Sequence, residues 1–324
     1  MPGNQNGCQK GGKGRRPALA SRGFPGLFGA MSEGQGRTRA ALAALGGATL
    51  LGLSPIGVRL SELGPQATNL WRFLFALPIL AVWAALSSAH PGGRQTGWLL
   101  FAGLLFGFEL SLWAEALSHT TVANATLLSN MTPLFAALFG WFVFQERPKA
   151  GIYWGGAIAL VGAVTLALAR ARAGVGPAAT PEQGWLGDGL GFASAVGYAG
   201  YLLIVRHLGG RVSTGAVMFL ATASGAAYAL ALSLALGEQL APTTWRGWLV
   251  LLMLGIVVQA AAQGLIAYGV ARLPIAASTI MLWMQPLSAA ALSWIMFGEA
   301  LGPLALGGAG LILAGVFLVQ RSRQ

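Results

Sequence analysis

Beyond residue 40 the chain alternates long apolar runs with short polar breaks. A helix needs about 20 apolar residues to cross a bilayer. Ten runs of that order occur, at 41–60, 66–88, 97–117, 122–144, 151–169, 187–207, 214–236, 246–270, 274–297 and 303–320. They are continuous, whereas barrel strands would alternate over about ten residues each. The longest polar interruption, RARAGVGPAATPEQGWL at 170–186, divides the ten runs into five and five. The other connections are short, which predicts antiparallel neighbours. Residues 1–40 are Gly-rich and basic without apolar periodicity, so they are expected to be a disordered tail lacking the apolar core of a secretory signal. Met31 stands just ahead of the first run as a second candidate start. The expected organisation is therefore a tail (1–40), a first five-helix unit (41–169), a linker (170–186) and a second five-helix unit (187–320).

Composition agrees. Of 324 residues 55% are hydrophobic and 9% charged, against about a quarter charged in soluble domains, and the mean hydropathy is +0.66. An ordinary cytosolic enzyme and a disordered chain are both excluded, leaving an all-α membrane protein embedded in a lipid bilayer. Lys and Arg number 20 against nine Asp and Glu. The basic groups sit between apolar runs instead of forming a stripe with stacking aromatics, so no nucleic-acid partner is expected. Cys8 is the sole cysteine, which leaves no disulfide framework and no thiolate metal site. With the N-terminus inside, fifteen basic residues fall on the cytoplasmic side, against Arg59, Arg72, Arg170, Arg172 and Arg246. The asymmetry predicts a multi-pass protein of the cytoplasmic (inner) membrane with both termini cytoplasmic.

The chain also repeats itself. TLLSNMTPLFAALFGWFVFQE (126–146) aligns without a gap to TIMLWMQPLSAAALSWIMFGE (279–299), an offset of 153 residues. The matches include Pro133/Pro286, Trp141/Trp294 and Glu146/Glu299, and the same offset pairs Gly155 with Gly308 and Gly162 with Gly315. Shared hydrophobicity alone does not reproduce Pro, Trp, Gly and Glu in one register. Because five is odd, duplicated halves would enter the membrane from opposite sides. The fold expected is ten transmembrane helices as two inverted five-helix repeats, an arrangement that suits alternating access.

These two copies, the passage SPIGVRL…WRFLFALP (54–78), and the lead-ins EALSHTTVANAT (115–126) and YGVARLPIAAST (268–279) resemble the EamA-type permeases of the drug/metabolite transporter superfamily. The resemblance covers roughly residues 41–320. It implies a ten-helix carrier of small metabolites, often outward, driven by gradients, and it says little about substrate. The chain has no GxxxxGK[ST] loop for ATP. No cofactor is expected.

A charge at bilayer depth is costly and so marks a candidate site. Arg72 and Glu109 lie at matching depths, roughly 10 and 12 Å from the outer ends of their helices at 1.5 Å per residue, so an Arg72–Glu109 ion pair is allowed. It is either a self-neutralising structural pair or a site in which Arg72 takes a substrate carboxylate or Glu109 a proton. An apolar or aromatic residue is expected near position 109 from the resemblance, so Glu109 is a departure. Gln259 and Gln263 are four apart and share a helix face, as do Tyr198 and Tyr201, three apart. Asn130 and Gln285 flank the repeated prolines, where freed carbonyls need partners. Trp113, Trp283 and Trp71 are candidates for a cavity wall, and Pro133 and Pro286 for hinges. For each polar residue, helix–helix packing is the competing explanation. Glu115 and His119 read as an interfacial i,i+4 pair, and Glu146 and Glu299 as turn residues.

An intramembrane enzyme would need a nucleophile–base set or a metal cluster. Asp188 is the only aspartate, no HExxH occurs, and His90, His119 and His207 are scattered. The sequence thus favours a secondary transporter of a small molecule, such as an amino acid or related compound. A proton-coupled exporter of cationic drugs is the alternative, and an intramembrane enzyme or scaffold a remote one. A proton or a counter-substrate is the driving partner left open, as is the oligomeric state.

Overall fold

In a computed structural model of the protein the residues described are 27–87, 89–144, 150–174, 176–177, 180–208, 211–270 and 284–322. Regular structure among them is helical throughout. Eight helical stretches are long and apolar enough to span a membrane, and the apolar stretch Pro303–Leu318 is shorter. The ninth expected run is described only from Met284 onward.

Several spans are built from more than one piece. The first is α1 (Leu27–Leu51) followed by α2 (Leu53–Leu60), broken at Gly52, where a Cβ would lie 3.0 Å from the backbone nitrogen of Ala289. The first helix starts at Leu27, well before residue 41, so the end of the expected tail is helical. Its Gln, Arg and Ala residues form helix readily. Next come α3 (Pro65–Ala85) and α4 (Gly93–His119). The fourth span divides into α5 (Val122–Ser129), capped by the Thr121 hydroxyl, and α6 (Thr132–Phe144). Pro133 sits in the first turn of α6, where a missing N–H is harmless, so the expected kink is a full break. Pro78, by contrast, lies within an uninterrupted α3.

The fifth and sixth spans are α7 (Ala150–Ala173) and α8 (Pro181–Leu208). Both extend into the expected linker, because Ala and Arg carry α7 onward and Thr180 with Pro181 makes a helix start. The seventh is α9 (Thr214–Ala235). The eighth comprises α10 (Trp245–Leu252), a π-helical segment (Met253–Ala262) and α11 (Gln263–Val270). α12 (Met284–Phe297) and α13 (Pro303–Ser322) complete the chain.

The principal apolar core draws on both halves, with Phe73, Leu110 and Trp113 beside Leu254, Val258 and Ala289. Small residues set the closest approaches, as expected where lipid removes the hydrophobic drive between helices. A Cβ at Gly103 would lie 2.7 Å from Ala221 Cα, and one at Gly187 2.8 Å from the His119 carbonyl carbon. The tightest long contact joins α7 to α13. Gly162 lies against Gly308, and Gly315 against Gly155 and Ala159. Under the 153-residue offset the contact 162–308 maps onto 315–155. The interface is therefore self-complementary, as a two-fold contact is.

Candidate functional site: a polar cavity between the halves

α2, α3, α4, the α5–α6 break, α8, α11, α12 and α13 enclose a cavity of about 310 Å³. Arg72, at mid-length on α3, projects into it and is only 2% exposed. A buried guanidinium must be hydrogen-bonded to be tolerated. Its Nε donates to Gln259 Oε1 at 2.9 Å, and its Nη1 to Ser54 Oγ at 2.8 Å. Gln259 Nε2 in turn donates to Thr222 Oγ1 at 3.4 Å. The chain Thr222–Gln259–Arg72–Ser54 thus crosses four helical elements and holds the cation in place.

Gln259 comes from the π segment, a geometry that often accompanies functional positions. Gly255 in the same segment lets that backbone close on α3, since a Cβ there would lie 3.1 Å from the Arg72 carbonyl oxygen.

Glu109 faces the same cavity from α4, 9% exposed. It makes no ion pair or hydrogen bond with any described residue. The ion pairs formed among described residues are Arg59–Glu299 and Glu115–His119. The direct Arg72–Glu109 pair allowed by their depths is not formed. Ser54 and Gln259 satisfy Arg72 instead, leaving a fixed cation and an unengaged carboxylate on one cavity.

The remaining nominated residues divide. Trp113, Asn130, Tyr198, Gln263 and Gln285 line the cavity. Tyr201 stands behind Tyr198, the rings stacked at 5.6 Å and 17°, and packs on Phe106 at 5.2 Å. Gln259 is fully buried and acts on Arg72. Asn130 caps the α5 end, its Nδ2 donating to the Thr126 carbonyl at 2.6 Å. Trp71 turns away, its Nε1 donating to the Leu240 carbonyl and its ring packed edge-on against Trp248 at 4.8 Å. Pro286 is buried in the first turn of α12. Trp283 lies outside the described residues, as does Glu146.

Sequence reasoning missed Ser54, whose signal was a hydroxyl beside Pro55 in a buried run. It also missed the wall given by Ile312, Leu313 and Val316 of α13, which carries no polar residue to draw notice. Glu115 and His119 pair as expected, at 3.2 Å. Among the described residues no group of three or more His, Cys, Asp or Glu is placed to hold a metal.

A cavity walled by both halves of a helical bundle, with a guanidinium and a carboxyl group on its lining, suits passage of a small polar molecule. The profile of the EamA-like transporter family matches residues 38–168 and 185–321. The chain belongs to the EamA-like transporter family. This EamA-like transporter is a multi-pass membrane protein that carries small molecules and is not an enzyme.

It is 28% identical over 270 residues to a "Probable terminal-alkyne amino-acid exporter" of Streptantibioticus cattleyicolor, covering 82% of this chain and 87% of that one. It is 26% identical over 187 residues to the pseudopaline exporter CntI of Pseudomonas aeruginosa, covering 57% and 62%. A solved crystal structure at 22% identity superimposes with a TM-score of 0.57 over 88% of this chain and 96% of the other, a likeness of fold.

Proposed function

We propose that this EamA-like transporter exports a small zwitterionic metabolite, such as an amino acid or a related compound, across the cytoplasmic membrane by alternating access. The proposal includes ten spans in two inverted five-helix repeats, with both termini cytoplasmic. The observation that carries the substrate class is that Arg72 and Glu109 both line one cavity. A substrate carboxylate would meet the unshared Nη2 side of the guanidinium, and a substrate ammonium the unengaged carboxylate. The aromatic and apolar wall of Phe106, Trp113 and Tyr198 would receive the side chain. The relative named as a probable terminal-alkyne amino-acid exporter supports the same class, and the pseudopaline exporter supports the outward direction. The repeat is supported by the gapless 153-residue offset and the self-complementary α7–α13 contact. The break before Pro133 and the repeat-mate Pro286 would supply the hinges.

Reconstituted into proteoliposomes, the protein is expected to exchange labelled amino acids against unlabelled ones. The matching decarboxylated amines and deaminated acids should compete weakly. Stronger transport of cationic amines than of zwitterions, dependent on a pH gradient and on Glu109 but not on Arg72, would favour the cationic-drug exporter. Unchanged exchange in both Arg72→Ala and Glu109→Gln would remove the pair from the site.

A further inference from the structure

Four carboxylates join the two halves of the protein, and all four lie at one end of the bundle. Glu62, between α2 and α3, accepts from the backbone N–H groups of Thr243 and Thr244. Glu238, after α9, accepts from the N–H groups of Gln66 and Ala67 at the start of α3. Asp188 on α8 accepts from the Thr120 hydroxyl and from Asn124 Nδ2. Glu299, after α12, pairs with Arg59 of α2 and accepts from the Val122 N–H at 3.0 Å. At the opposite end, among the described residues, the Ser213 N–H donates to the Ala89 carbonyl, an uncharged tie between the halves.

Arg59 and Glu299 form the centre of this layer. Arg59 also donates to the Leu117 and Thr120 carbonyls at the end of α4 and lies over the Phe297 ring at 5.4 Å. Glu299 takes a third donor, the Ser293 hydroxyl. Gly298, at φ +69°, lets the chain leave α12 in the left-handed conformation that turns Glu299 back toward the bundle. Side-chain exposure of the pair is 12% and 8%. The clamp lies beyond the central cavity. Arg59 follows cavity-lining Ser54 by five residues, about 7.5 Å of helix, and Leu117 follows Trp113 by four, about 6 Å. On its far side lie two surface hollows. One, of about 320 Å³, includes Glu299, Asn124 and the exposed Arg172, and the other, of about 250 Å³, includes Arg59.

We propose that the Arg59–Glu299 clamp is the gate of the transport path at this end, closed here, and that the hollow lined by Asn124, Arg172 and Glu299 is the vestibule it opens into. The inference rests on the alternating-access part of the transport reading but not on any choice of substrate. Opening would separate the α2–α4 ends from the α12–α13 turn, with Arg59 and the Val122 N–H giving up Glu299 together while the Ser293 hydroxyl stays with it.

The test uses the full chain with Cys8→Ser and a single reporter, Val316→Cys, on the cavity wall. It is reconstituted in oriented vesicles and labelled with a membrane-impermeant maleimide from either face. With the clamp intact, labelling should come predominantly from the face opposite the clamp. Arg59→Ala and Glu299→Ala should each raise labelling from the clamp face at least about ten-fold, equivalent to about 1.4 kcal/mol. Glu299→Gln, which keeps an acceptor for Val122 and Ser293, should give a smaller rise in the same direction. Labelling from the opposite face serves as the folding control. A clamp-face rate unchanged in all three variants, with that control intact, would overturn the proposal. If the alanine variants do not fold, Glu299→Gln decides alone, and an unchanged rate there has the same consequence. No substrate is needed, so a wrong substrate class and a wrong gate give separable results.

Discussion

The α7–α13 contact offers a severe test of the architecture, because it relies on four glycines of which two pairs are repeat mates. A Cβ placed at Gly162 would lie 2.6 Å from the Ile312 backbone nitrogen and 2.7 Å from the Gly308 carbonyl oxygen. Ordinary contacts begin near 3.4 Å, so in Gly162→Ala the two helices must part by roughly 0.8 Å. The obstructing atoms are backbone and cannot rotate away. Overpacking of this kind costs about 1–3 kcal/mol, and the gain in helix propensity offsets at most about 1 kcal/mol of it. The same change at Gly310, on the facing helix α13 with nothing within 4 Å, carries the gain without the clash. Thermal unfolding of the detergent-purified protein, followed by fluorescence-detected size exclusion, should place Gly162→Ala below the wild type and Gly310→Ala at or above it. Gly308→Ala, with Leu166 N at 2.8 Å, should resemble Gly162→Ala. Because both relieve their clash by the same separation, the double variant should lose less than the sum of the singles. Gly162→Ala as stable as Gly310→Ala would refute the close approach and, with it, the self-complementary interface.

Three further outcomes follow from the cavity and its edge. Gln259→Leu removes the acceptor of Arg72 Nε and should cost about 1.5–3 kcal/mol, the scale of a hydrogen bond to a charged group. It should also raise KM for zwitterions, whereas Gln259→Glu, which keeps the acceptor, should retain binding. Glu109→Gln, at a side chain with no hydrogen bond or ion pair among the described residues, removes no such contact and should not lower the unfolding temperature, yet it should relax discrimination between zwitterions and the matching deaminated acids in competition assays. The Thr244 hydroxyl, aided by the N–H groups of Thr243 and Thr244, holds the Glu62 carboxyl below its ordinary value. A depressed carboxyl contributes stability above its unfolded pKa and loses it as pH falls through the folded one. Hydrogen exchange at 243–247 should therefore quicken beyond its intrinsic pH dependence only on acidification below the ordinary Glu range, and Glu62→Gln should abolish that extra step.

Much of the site was legible from residue positions. Arg72 and Glu109 stood out because charges at depth are rare, and Asn130 because it adjoins a repeated proline. The partner of Arg72 was not legible, since depth fixes height in the membrane but not rotation about the helix axis. One residue turns a side chain by about 100°, and Gly52 and the π segment each shift the register that a regular helix would give. Ser54 and Gln259 reach Arg72 as a result, and Glu109 is left facing the cavity. Glu299 read as a turn residue because it lies at a polar break, and Asp188 stood out only as the single aspartate. Their buried roles depend on elements brought in from the other half of the chain.

Membrane residence, the helical spans and the 153-residue repeat were determined by the sequence itself, because transfer to lipid and helical length are properties of local runs. The tertiary structure alone decided which polar groups meet. Polar side chains buried within the bundle depend on one another and on backbone groups for donors and acceptors, since lipid supplies none. Which partner each one finds is set by the packing of distant helices, and that packing places one guanidinium and one carboxylate on a shared cavity and gathers four inter-half carboxylates at one end.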